Sequence, residues 1–451
     1  MLTLGLFIII VLAIGSAVSS DLPVGLAILP IVFLICEVWA KNLRMWTRVP
    51  DGIGVKLFRM IIFVKYYVTP LYILLTRNTE VPGVVPSEQS VLTAIGLMTY
   101  ELLSVYIFIS LLMDKWDTHP KINTSIYSYK NYTLLLLFVF VIVLIINPNA
   151  FSINLGILFN SDVYNHENVT LSITPTAIVL TKFLKTLLFV IPIYWAYDKY
   201  TKSHKKTYVY LSLLICAVFI LLFISSSRWN LLFSLLGGMF ILTSLYGKLV
   251  KKYVVLISSI GFALLLGVTI YKFKWQLQGD VSVTNSIKVI FSFLQPYFSG
   301  PYVTAQGVQM SRVFVEDLTF KTCFNDYLFS IPFISNFMDR TNITNFYFNK
   351  FVLGDTTMLS QLVPGVSSGY AYFGFVFSNI LTICFVFALF YFTNKQNMCK
   401  DPIKAFFILL GTLWLSLVLC VNTQTVFGNC LHSSIIPLII LHVARIKLSQ
   451  S

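Results

Sequence analysis

Long apolar runs, separated by short polar links, set the plan of this chain. Apolar runs of about 17 to 25 residues are long enough to cross a bilayer core. Twelve occur, near residues 2–20, 22–40, 55–76, 89–113, 131–147, 173–197, 208–226, 229–247, 253–271, 367–392, 403–421 and 431–446. The first two are joined by a tight turn around Asp21, and only Ser225 to Arg228 separate the seventh from the eighth. The pattern predicts an all-α polytopic membrane protein with about 12 transmembrane helices. The first run begins at Met1 with no basic lead and another follows at once, so it is expected to be an uncleaved span. Neither an internal repeat nor the inverted, broken-helix halves of many secondary transporters can be discerned.

One long segment departs from the pattern. Residues 272–365 contain no run of spanning length, which divides the chain into a bundle over 1–271 (spans 1–9), a large loop over 272–365, and a second bundle stretch over 366–451 (spans 10–12). Within the loop, Asn285 to Tyr297 places Ile287, Ile290, Phe291 and Leu294 at helical spacing, as in a helix lying in the bilayer interface. Pro296, Gly300 and Pro301 end it. A second short helix is expected over Val303 to Val315, carrying Arg312. Such helices are expected to lie over a pocket as a lid.

Charge sets the orientation. Charged residues are only 11% of the chain, against roughly 25% in soluble domains. The formal net charge is +14, which in a soluble protein points to nucleic acid. Here the basic residues gather in the links after the even-numbered spans: Lys41, Arg44 and Arg48; Lys115, Lys121 and Lys130; Lys199, Lys202, Lys205 and Lys206; Lys248, Lys251 and Lys252; Lys395, Lys400 and Lys404. The alternate links are poor in them, and the one from Pro148 to Thr174 has none. Cytoplasmic loops carry the excess of Lys and Arg, so both termini are expected in the cytoplasm and the long loop outside. That rule leaves the loop's own bases unexplained: Lys272, Lys274, Lys288, Arg312, Lys321, Arg340 and Lys350.

Some charges fall inside expected spans, where an ionisable group costs a few kcal/mol and normally faces the interior or a watery cavity. Lys182 and Lys185, three apart on one helical face, are expected to face a cavity at the outer level. Lys65, mid-run in the third span, either snorkels inward unpaired or faces the interior.

The outer-side residues suggest a basic pocket for an anionic, lipid-borne ligand. Guanidinium groups match phosphate oxygens with a planar fork of donors. Arg228, in a minimal turn between two spans, is expected to act with Arg312 and Arg340 on a diphosphate, helped by Lys182, Lys185 and Lys274. Tyr297, Tyr302 and Tyr370 offer faces and hydroxyls for sugars, although Tyr and Trp gather at bilayer interfaces in any case. Asp280, Glu316, Asp317, Asp339 and Asp355 are candidate bases, each equally readable as a solvated surface carboxylate. Neither a phosphate-binding GxxxxGK[ST] loop nor an H-E-x-x-H motif is present. The seven cysteines are scattered without metal-like spacing. No metal or other cofactor is expected.

The layout, with Ser226-Ser-Arg228 before an apolar span, Gln295-Pro-Tyr-Phe-Ser-Gly300 at the head of the loop and Ser368-Gly-Tyr-Ala-Tyr-Phe-Gly374 entering the next span, resembles the Wzy-type polymerases of O-antigen and related bacterial surface polysaccharides. The resemblance covers the whole plan, while its motifs are short. Where many members carry an acidic residue before that Phe-Gly, this chain has Tyr372, which puts any role of that acid in doubt. The resemblance implies a metal-independent glycosyltransferase of the bacterial inner membrane, acting on oligosaccharide repeat units linked to undecaprenyl diphosphate. A flippase and a chain-length-regulating co-polymerase are the implied partners, with no nucleic acid. Two rivals are a lipid-linked oligosaccharide flippase and an O-antigen ligase. The ligase is expected to use a histidine in the large loop, and none lies between His204 and His432. A small-solute transporter is the remaining alternative.

Overall fold

The computed structural model describes residues 24–116, 129–146, 175–222, 228–273, 294–331, 334–354, 362–399 and 401–448. Every regular element among them is a helix. In chain order the principal ones are α1 (Ile28–Asn42), α2 (Ile53–Phe63), α3 (Thr69–Thr76), α4 (Glu88–Leu112), α5 (Tyr129–Ile146), α6 (Pro175–Ser203), α7 (Thr207–Leu222), α8 (Arg228–Tyr246) and α9 (Lys251–Phe273). They continue with α10 (Pro301–Val313), α11 (Phe320–Phe329), α12 (Thr344–Leu353), α13 (Gly365–Phe377), α14 (Ile380–Met398), α15 (Pro402–Leu415), α16 (Thr423–Cys430) and α17 (Ile436–Leu448).

Five helical stretches among the described residues are long and apolar enough to cross a membrane: Gly25–Asn42, Ile53–Thr76, Glu88–Leu112, Leu232–Gly261 and Thr423–His442. A sixth is added if α13 and α14, bent by 108° at their junction, count as one span. This is a helical membrane protein by length and composition. The first of the twelve expected runs, at 2–20, lies outside the described residues.

The chain divides into two compact units, residues 1–119, 281–394 and 412–429 in one, and 120–280, 395–411 and 430–451 in the other. This partition cuts across the three-part division expected above, because the described part of the long segment folds with the early helices. In the second unit, α5 to α9 close around an apolar core that includes Phe183, Leu187, Val190, Cys216, Ile241 and Phe406. Phe189 stacks on Phe219 with ring centroids 3.8 Å apart.

In the first unit the long segment is a folded insert with its own core. Val303, Met310, Leu318, Phe348, Val352 and Val363 pack together. Helix α10 begins where the sequence dictates, with Pro301 in the first turn after Gly300, a position that has no use for the missing N–H. It is not the lid expected for it. Pro301 to Val308, Met310 and Ser311 are all buried. A Cβ on Gly307 would lie 2.5 Å from that of Ser367, so α10 sits directly against α13. The Gln306 amide donates to the carbonyls of Pro82 and Val84, both at 2.8 Å, tying α10 to the loop before α4.

Among the described residues, helices are irregular inside several apolar stretches, including a π-helical turn at Leu431–Ile435. Between α2 and α3 runs a π-helical turn, Val64–Val68. Pro70 follows it and has no N–H to continue the ladder, while the Thr69 hydroxyl donates to Val64 O at 2.9 Å. Gly374 takes φ +70 and ψ −172, which kinks the end of α13; that region is open essentially only to glycine. Residues 416–422, between α15 and α16, form a turn-built interruption instead of a continuing helix.

Candidate functional site

Interrupted backbone inside a membrane protein is tolerated where protein groups satisfy it or where it lines a cavity. The interruption at 416–422 is met from several sides. The Lys65 ammonium donates to Leu419 O at 2.7 Å, and the Ser299 hydroxyl to Cys420 O at 2.5 Å. A Cβ on Gly365 would stand 3.1 Å from Val418 O and 3.4 Å from Val421 O, so α13 starts against neighbouring carbonyls of the same interruption. Ser299 belongs to the Gln295–Gly300 motif and adopts φ +50. Gln295 accepts a hydrogen bond from Tyr302 N at 3.1 Å. The motif is thus the joint that fixes the insert on the interrupted span.

Lys65 does not snorkel unpaired. Its Nζ lies 2.6 Å from Glu101 Oε2, and both side chains are fully buried. The Tyr66 hydroxyl donates to the same carboxylate oxygen. The π-helical turn places Lys65 and Tyr66 together on that oxygen. Glu101, an acid within an apolar run, carries the same signal in the sequence as Lys65.

The second polar cluster sits in the insert. Asp326, on α11, is 2% exposed. Its Oδ1 accepts from Thr344 N at 2.9 Å, and its Oδ2 from the Tyr372 hydroxyl and from the Gln424 amide at 3.3 Å. Helix α11 is set by a reciprocal cap between Thr319 and Thr322, the arrangement that starts a helix cleanly. Around this carboxylate, Asn422 donates to Asn345 Oδ1 at 2.7 Å and Tyr327 to the Thr423 hydroxyl at 2.8 Å. Burial pushes the Asp326 carboxyl up from 3.8 to about 6, against the hydrogen bonds from Tyr372 and Thr344 that lower it. A carboxyl near neutrality and shielded from water is suited to accept or hold a proton. Tyr372 stands where the resemblance leads one to expect an acid, and its hydroxyl meets a carboxylate supplied by α11.

The candidate residues fall in several places. Arg312, exposed at the end of α10, donates to the Ser90 and Thr93 hydroxyls of α4 at 3.4 and 3.0 Å. Glu316, Asp317 and Asp339 are exposed, and Asp339 caps the turn at Thr341. Tyr302 is buried, while Tyr297 and Tyr370 are half-buried. Lys182 and Lys185 are half-buried on α6, in the second unit. Arg228 is the first residue of α8, and Arg340 opens a short 3₁₀ turn. Lys274, Asp280 and Asp355 lie outside the described residues. Asp326 was not among the candidates, since one aspartate in an aromatic, asparagine-rich stretch gives no sign of burial. Among the described residues no cluster of three His, Cys, Asp or Glu side chains could hold a metal ion. No protein-family model, curated protein or solved structure matches this chain.

Proposed function

We propose that this chain polymerises oligosaccharide repeat units carried on undecaprenyl diphosphate, at the periplasmic face of a bacterial inner membrane. In this reading it has twelve spans, both termini lie in the cytoplasm and residues 272–365 face the periplasm. The observation that carries the proposal is the buried Asp326 with its Tyr372 partner, held against an interrupted span by a folded insert. The charge pattern and the motif resemblance support the same reading.

The hydroxyl at the free end of one unit attacks the anomeric carbon at the diphosphate end of the growing chain. A new carbon–oxygen glycosidic bond forms, the bond from that carbon to the diphosphate oxygen breaks, and undecaprenyl diphosphate leaves with the electron pair. The proton from the attacking hydroxyl goes to the Asp326 carboxylate. Charge growing on the diphosphate is offset by arginine, the kind of fixed electrostatic aid that is worth most away from bulk water. Arg228 is the arginine proposed for that role on its sequence position, in a minimal turn between two apolar runs.

A flippase for the same lipid-linked units is the second reading, favoured by the interruptions at Gly374 and at 416–422, since discontinuous helices serve substrate sites in transporters. The location of accumulated intermediates in a deletion strain separates the two. Polymerase loss leaves single lipid-linked units on the periplasmic leaflet. Accumulation on the cytoplasmic leaflet sinks the polymerase reading in favour of the flippase.

A further inference from the structure

The start of α14 holds three polar side-chain atoms that no group among the described residues satisfies. Asn379, just before the helix, is 2% exposed and Thr382 is 0% exposed. Among the described residues, the amide oxygen and nitrogen of Asn379 and the hydroxyl of Thr382 are all without a hydrogen-bond partner. A buried polar group left unmet is costly, and such groups call for an explanation. Their geometry departs from local habit as well. An asparagine preceding a helix usually turns its oxygen onto an N–H of the first turn, and Asn379 does not. Helical threonines here commonly donate to the carbonyl four residues back, as Thr99, Thr186 and Thr393 do. Thr382 makes no such bond.

The surroundings specify what would fit. Helix α14 runs for 19 residues, and the first turn of a helix offers free N–H groups and the positive end of its dipole. Amide, hydroxyl and backbone donors together suit an oxyanion. On the approach to this turn, Phe375, Val376, Phe377 and Ile380 are exposed, and a Cβ on Gly374 would meet nothing within 4 Å. That is an apolar, open flank beside a buried set of donors, the two-part chemistry of a prenyl chain with a charged head. From another side Tyr327, next to Asp326 on α11, has its ring 6.5 Å from that of Phe385, one turn beyond Thr382.

We propose that the first turn of α14 is an oxyanion site for the phosphoryl groups of a prenyl diphosphate, with the Asn379 amide nitrogen and the Thr382 hydroxyl donating to them. The identity of the lipid rests on the function proposed above; the donor set does not.

The test uses the full chain in lipid nanodiscs, titrated with undecaprenyl diphosphate and, in a separate arm, with inorganic pyrophosphate. Thr382→Val and Asn379→Leu are each expected to weaken binding of the lipid about tenfold, the loss of one charge-assisted hydrogen bond. Thr382→Ser, which keeps the hydroxyl, is expected to bind like the wild type. Without ligand, Thr382→Val should melt no lower than the wild type, since no protein bond is removed. Competition by pyrophosphate supports phosphoryl recognition independent of the chain, and binding of the lipid alone assigns the site to the membrane-borne source. Unchanged affinity in both Val and Leu variants overturns the proposal and leaves the turn as the seat of a trapped water. No glycan is needed for this assay. Protein that binds through Thr382 yet makes no polymer therefore keeps the site and sinks only the polymerase reading.

Discussion

Lys65 and Glu101 form an ion pair 2.6 Å long with neither side chain exposed to solvent, joining the π-helical turn before α3 to the middle of α4. Lys65 also holds Leu419 O, so the pair fixes the interruption before α16. Removing one partner strands a buried charge, which costs about 3–5 kcal/mol. Lys65→Met is therefore expected to destabilise strongly, while Lys65→Met with Glu101→Leu should recover much of the loss. Thermal unfolding in detergent measures both. A single variant as stable as the wild type would contradict the assignment.

Asp326 gives the protein a pH dependence of defined sign. Its carboxyl sits near 6 in the fold against 3.8 normally, so the native state holds the proton more tightly than the unfolded chain. This contribution to stability is full below about pH 4 and is lost as pH rises through about 6; two pKa units correspond to about 3 kcal/mol. Asp326→Asn should flatten the melting temperature across that window and abolish polymerisation. A wild-type melting temperature that rises through the window would contradict the raised value.

Tyr372→Phe removes a hydrogen bond that lowers the Asp326 value. The apparent pKa in the rate profile of chain elongation is expected to move above about 6. A profile unchanged by the substitution would separate Tyr372 from the titrating group.

Two glycines of the Ser368–Gly374 motif are needed for different reasons. A Cβ on Gly369 would lie 1.9 Å from Ser378 O, where backbone blocks it. At Gly374 nothing lies within 4 Å, but φ is +70. Gly374→Ala should cost about 1–3 kcal/mol through backbone strain alone, and Gly369→Ala more, because α13 and the turn before α14 must separate. Equal melting temperatures for the two variants would argue against this distinction.

The sequence made the helices legible because apolar runs, Gly and Pro mark their limits; the helix expected over Val303 to Val315 occurs as Pro301–Val313. The rule that charges in spans face the interior also pointed at Lys65. Its partner was hidden because Glu101 lies 36 positions away and only the fold brings them together. The interruption at 416–422 was hidden too, since those residues include neither Gly nor Pro. It exists because Lys65 and Ser299, far off in sequence, take over its carbonyls. Asp326 was missed for the same reason: the groups that bury it, Tyr372 and Gln424, come from helices distant along the chain.

Arginine is expected to carry the charge of the leaving diphosphate. Arg228→Ala should leave the protein inserted in the membrane and reduce chain elongation about 10²-fold or more, the scale for losing one fixed oxyanion donor. Arg312→Lys should weaken elongation less, since lysine keeps the charge but cannot span both Ser90 and Thr93. Glycan length in complemented deletion strains reports both. Normal long chains in the Arg228 variant would remove it from the site.

The most direct measurement supplies purified full-length protein in lipid nanodiscs with oligosaccharide units on undecaprenyl diphosphate, without metal ion or nucleotide, and follows glycan size and free undecaprenyl diphosphate. A ladder of polymer, with one undecaprenyl diphosphate released per bond formed and no ladder from the Asp326→Asn protein, is the predicted result. Intact, unlengthened units from active, correctly folded protein would contradict the proposed function.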